Sequence, residues 1–158
     1  MQLRPFDTKR IDGLTLIELL LAIVIVGLLA AIALPSYQRY VEQAKVTSAI
    51  ADIVTIEASI ERFYAINRKL PLSLADVGLA QMRDPWENPY QFLNFSTLPG
   101  NGKGGMRKDK NLVPVNTDYD LYSMGENGVT NQTFTSRSGR DDIVRANNGS
   151  YVGLASEY

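Results

Sequence analysis

The chain predicts an α+β fold: a long N-terminal α-helix, with a transmembrane half and an amphipathic half, packed on a small antiparallel β-sheet. Three features of its 158 residues point there. Residues 14–34 form an apolar run interrupted by a single charge. Ala49, Ile53, Ile56, Ile60, Phe63 and Ile66 then recur at spacings of three and four, and the short segments 90–95 and 119–124 alternate in polarity as half-buried strands do.

The first element follows from the apolar run. It is about 20 residues long, enough to span a bilayer, and lacks the short core and small-residue cleavage site of an ordinary secretory signal. Residues 1–13 are polar and carry Arg4, Lys9 and Arg10, so this end is expected on the cytoplasmic side. Pro35 and Ser36 close the run, and Tyr37 and Tyr40 flank Arg39 where interfacial aromatics belong. The single charge is Glu18, and a carboxylate inside a membrane helix requires a partner.

From residue 37 to residue 66 there is neither Gly nor Pro, and the isoleucine stripe marks one face of a helix that rests on the sheet. Asp52, Glu57, Glu61 and Arg62 are expected mostly on its other faces. At about 1.5 Å per residue, residues 14–67 would form a helix of roughly 80 Å, far longer than a small domain needs. Half of it must be buried elsewhere, in lipid or against copies of itself.

Residues 74–79 read as a short helical or loop segment. The turn Asp84-Pro85-Trp86-Glu87-Asn88-Pro89-Tyr90 sets the one Trp between two prolines, where it can cap the core, and leads into the first strand. Residues 99–116 form a glycine-rich loop with Lys103, Arg107, Lys108 and Lys110, expected to be solvated or to meet an acidic partner or a neighbouring subunit. Residues 125–150 are rich in Gly, Asn and Ser and have little apolar surface to hold them.

Composition removes several function classes. A net charge of −1 and the lack of any basic stripe give no reason for nucleic-acid binding. The chain has no His and no Cys, hence no common general base, zinc set, nucleophile triad or disulfide, and no enzyme is expected.

Three motifs carry a family resemblance. Gly13-Leu14-Thr15-Leu16-Ile17-Glu18-Leu19-Leu20 resembles the type III signal of type IV pilins and type II secretion pseudopilins. The resemblance implies a prepilin peptidase cut between Gly13 and Leu14 and methylation of the new terminus, with Leu14 standing where the family usually has Phe. Glu18 would then pair with the free Leu14 amine of a neighbouring subunit, relieving the desolvation of both charges. Gly27 and Pro35 also match, and imply a helix stretch that melts during filament packing; Gly and Pro weaken a helix interior.

The Trp86 turn is closely similar to the Asp-Pro-Trp-Gly-Asn-Pro-Tyr turn of type II secretion major pseudopilins, with Glu87 in place of the Gly. Residues 119–128 and Arg140-Asp141-Asp142-Ile143 resemble the calcium loop of the same proteins. That implies calcium held by Asp141 and Asp142, by Asn127 in place of the usual Asp, and by the carbonyls of Met124 and Val129, in a loop that has no disulfide to staple it.

The expectation is therefore the major pseudopilin of a type II secretion system. A leader at residues 1–13 is removed, residues 14–35 form the transmembrane and filament-core helix, and residues 36–158 form the periplasmic domain. Such a subunit sits in the inner membrane as a single pass with its N-terminus cytoplasmic. It forms a homopolymer that helps export folded proteins, and meets prepilin peptidase, minor pseudopilins and an inner-membrane assembly platform. The alternative is a type IV pilin for adhesion, motility or DNA uptake, which usually closes its C-terminal loop with a disulfide. A more distant one is a membrane-anchored enzyme or calcium-dependent binding module.

Overall fold

A computed structural model describes residues 15–100, 103–110 and 112–158. The chain divides into two compact units, Met1–Tyr40 and Val41–Tyr158, and α1, Leu16–Asn67, contributes to both.

In the first unit every described residue is exposed, Leu16 by 76% and Ile32 by 72%, so the apolar stretch buries nothing within its own chain. This stretch is long and apolar enough to cross a membrane. Gly27 and Pro35 both lie within α1, and Ser36 returns its hydroxyl to the Ile32 carbonyl at 3.1 Å, one turn back.

In the second unit α1 meets a four-stranded antiparallel sheet of sequential order: β1 (Gln91–Asn94), β2 (Tyr119–Ser123), β3 (Ile143–Ala146) and β4 (Tyr151–Leu154). Leu121 pairs with Phe92, and Tyr122 with both Gln91 and Val144, which fixes which side chains share a face. Ala49, Ile53, Ile56 and Ile60 of α1 are fully buried with Tyr119, Leu121 and Ile143 on one face of the sheet. Burying each Ile side chain contributes roughly 1.5–3 kcal/mol. On the opposite face Val144 and Ala146 join Val115, Phe134 and Ala155, with Tyr122, Tyr151 and Tyr158 around them. The alternation of β2 and β3 thus serves two cores, one under the helix and one under loops.

Three expectations change. The stripe stops short: Ile66, in the last turn of α1, is 76% exposed, and the fully buried positions end at Ile60. Glu57 does not take a solvent face; its carboxylate is turned to the sheet, where Arg145 meets it. The glycine- and asparagine-rich region after residue 125 contains β3, whose apolar pattern is broken by a buried arginine at the helix-facing position Arg145.

Candidate functional site

At the head of α1, the Glu18 carboxylate accepts from the Thr15 backbone N–H at 2.8 Å and from the Thr15 hydroxyl at 2.7 Å, while the Glu18 N–H donates to that hydroxyl at 3.3 Å. This is a reciprocal capping box, Thr followed three residues later by Glu, and its spacing was visible in the sequence. It holds the acid in the first turn, at the positive end of the helix dipole. Gly13 and Leu14 themselves lie outside the described residues.

The Trp86 turn is organised by one buried acid. Asp84 Oδ1 accepts from the backbone N–H groups of Trp86 and Asn88 at 3.0 and 2.8 Å, and Asp84 Oδ2 accepts the Ser123 hydroxyl at 2.5 Å. Asn88 Nδ2 donates to the Gly125 carbonyl at 3.0 Å, so this turn and the start of the C-terminal loop are joined directly. Trp86 packs against the helix-side core and donates its indole N–H to Glu42 Oε1 at 2.9 Å. Glu87 occupies the left-handed region at φ 69°, a conformation that a glycine adopts without strain.

The C-terminal loop brings some of its expected ligands together and separates others. Asn127 meets Asp141: its backbone N–H donates at 3.1 Å and its side-chain amide also donates to the same carboxylate. Gly125, at φ 64°, permits this approach, because a Cβ there would lie 2.8 Å from Asp141 Oδ2. Asp142 points elsewhere. It is fully buried, and its Oδ2 accepts Arg107 Nη1 at 2.7 Å and the Thr130 hydroxyl at 2.5 Å. Burial pushes the Asp142 carboxyl up, against the pull of Arg107 and Thr130, and its Oδ1 is buried without a hydrogen-bond partner. Met124 is half-buried and Val129 is exposed.

Arg107, expected in a solvated loop, is 3% exposed. Its Nη1 also reaches the Asn131 carbonyl at 2.7 Å, its Nη2 donates to the Thr130 hydroxyl at 2.5 Å, and its guanidinium lies 3.6 Å from the centroid of the Tyr122 ring. The Arg107 backbone N–H donates to Asp120 Oδ2 at 2.7 Å; burial pushes the Asp120 carboxyl up, while this bond and Asn116 pull it down. As placed, these residues do not fit a divalent ion. The two aspartates serve different neighbours, a guanidinium already sits on Asp142, and among the described residues no three acidic side chains converge. Sequence reasoning missed Arg107 because one arginine among several basic loop residues carries no mark of burial.

On the helix side, Arg145 was likewise unforeseen. Its Nε donates to Glu57 at 2.6 Å, its Nη1 and Nη2 to Asp118 at 2.9 Å each, and it lies 4.0 Å from the centroid of the Tyr119 ring.

Residues 8–34 match the family model of the prokaryotic N-terminal methylation motif. The chain is 33% identical over 138 residues to the type II secretion system core protein G of Pseudomonas aeruginosa, covering 74% of this chain and 84% of that protein. It is 30% identical over 142 residues to core protein G of Aeromonas hydrophila, covering 76% and 86%. A fimbrial protein of Neisseria meningitidis is 39% identical over 72 residues, which cover only 46% and 42% of the two chains. No solved structure matches this chain.

Proposed function

Because this chain belongs to the family of type II secretion system core protein G, we propose that it is the structural subunit of a secretion pseudopilus, polymerising through its N-terminal helix to help export folded proteins. The observation that carries this reading is the first unit of the chain. Every large apolar side chain of its helix is exposed, with one carboxylate at the helix head, inside a matched methylation motif. A surface of this kind is covered by lipid before assembly and by copies of itself afterwards.

The family implies processing by prepilin peptidase, and the reading places the cut between Gly13 and Leu14. The freed Leu14 amine then takes a carboxylate partner, Glu18 of the next subunit, since an ammonium and a carboxylate brought together in lipid relieve each other's desolvation. The capping contact to Thr15 keeps the acid at the head of its own helix. Gly27 and Pro35 mark the stretch proposed to unwind on packing. The chain is read as single-pass in the inner membrane, its N-terminus cytoplasmic and its second unit periplasmic, contacting minor pseudopilins and the assembly platform. It acts by assembly rather than turnover. Surface pili are the weaker reading, because likeness to fimbrial proteins covers 46% of this chain in one case and 65% in another, less than the 74–76% covered by core protein G, and no cysteine is present to close the loop.

The test is assembly in cells that express the full precursor. Glu18→Ala should insert and be processed but give no filaments, whereas Gly13→Ala should accumulate unprocessed. Normal filaments from Glu18→Ala would contradict the pairing, and normal processing of Gly13→Ala would contradict the cut site.

A further inference from the structure

The second unit solves a charge problem in an unexpected place. Two adjacent acids, Asp141 and Asp142, immediately precede β3, and Asp142 is taken wholly out of water. A buried carboxylate requires a counter-charge and donors. In a loop of this composition a divalent cation is one source of both. Here the protein supplies them to Asp142 Oδ2 from its own side chains, while Oδ1 has no hydrogen-bond partner.

We propose that the C-terminal loop is locked without a metal ion, with the Arg107 guanidinium acting as a tethered cation for Asp142 and the Asn127 amide acting as the donor for Asp141. Three observations carry this. First, Arg107 ties residues 130 and 131 of the loop to Asp142: Nη1 bridges the Asn131 carbonyl and Asp142 Oδ2, each at 2.7 Å, and Nη2 takes the Thr130 hydroxyl, which itself donates to Asp142. An arginine does this better than a lysine, because its planar fork presents several fixed donors at once. Second, Asn127 removes the need for an ion at Asp141. An acid at residue 127 would face Asp141 as a like charge and require a cation between them, whereas the amide donates directly. Third, Arg107 is itself held: its backbone is pinned to Asp120 and Val115, and its guanidinium stacks on Tyr122. A divalent ion at Asp142 would sit against this fixed positive charge, and repulsion in so dry a site is strong.

The proposal rests on the side-chain geometry of the second unit and not on filament assembly, so failure of the Glu18 experiment leaves it standing. It is tested by thermal unfolding of the full chain in detergent, followed by the near-ultraviolet signal of Trp86 and the tyrosines. Wild-type protein should melt at the same temperature in excess EGTA and in millimolar calcium chloride, and calorimetric titration with calcium should show no saturable heat. Arg107→Met should lower the melting temperature by on the order of 10 °C. Asn127→Asp gives a second measurement that survives if the first variant does not fold: it should melt lower than wild type in EGTA and regain stability with calcium. A chelator that lowers the wild-type melting temperature by several degrees would overturn the proposal, as would saturable calcium binding, wild-type stability of folded Arg107→Met, or an Asn127→Asp variant that matches wild type in EGTA.

Discussion

Arg145 on β3 donates its Nε–H to Glu57 Oε1 on α1 at 2.6 Å, and this contact fastens the helix to the sheet through charge as well as through the isoleucine face. Both groups are nearly buried, their side chains 3% and 13% exposed, and Asp118 completes the neutralisation of the guanidinium. Gly149, at φ 89°, leaves room for the acid; a Cβ there would come within 3.0 Å of the Glu57 carboxyl carbon.

Glu57→Ala should therefore destabilise the second unit by about 3 kcal/mol, because it strands part of a buried guanidinium. Glu57→Leu combined with Arg145→Met should recover much of that loss. Denaturant midpoints of the single and double variants check both statements, and strictly additive losses would count against the coupling.

Glu87→Gly should stabilise the protein by about 1 kcal/mol, since Glu87 holds a left-handed conformation that is costly for a residue with a Cβ. Its side chain is exposed, so little packing is lost. The melting temperature should rise by about 2–4 °C. A fall would mean that the Glu87 side chain contributes more than its backbone strain costs.

Ile56→Ala should cost about 2–5 kcal/mol and Ile66→Ala less than about 0.5 kcal/mol. The two residues belong to one periodic stripe, but Ile56 is fully buried and Ile66 is 76% exposed. Equal losses on chemical denaturation in detergent would show that the last turn of α1 is covered.

Alkaline pH should weaken the fold. Burial raises the phenols of Tyr90, Tyr119 and Tyr122, and Tyr90 is raised further by donating to Asp52 at 2.8 Å. Unfolded tyrosines lose their protons near about pH 10, so above that the folded chain binds more protons than the unfolded one. The stability these phenols contribute is complete below that pH and is lost as pH rises through their folded values. Phenolate absorbance should thus rise in two phases, the second coinciding with loss of helical circular dichroism. A single phase completed before unfolding would contradict the burial of these rings.

Most of the architecture was legible because it rests on periodicity. The run at residues 14–34, the buried set Ala49, Ile53, Ile56 and Ile60, and the strands beginning near residues 90 and 119 each repeat a local pattern long enough to read. β3 was not legible, because it is four residues long and buried on both faces, so it shows no alternation, and one of the four is an arginine. The cap on Glu18 is legible in the sequence: Thr15 and Glu18 stand at the spacing of a capping box, a contact within one chain and separate from the pairing expected with a neighbouring Leu14 amine.

By itself the sequence determined the long helix, its membrane-competent half, the family signal around Gly13 and Glu18, and the turn at Trp86. These depend on neighbours within a few residues, where backbone geometry leaves little choice. Only the tertiary structure decided which charges became internal. Arg107 finds Asp142 across 35 residues and Arg145 finds Glu57 across 88. No local pattern distinguishes those two arginines from solvated ones, because what buries a charge is the partner that the sheet brings to it.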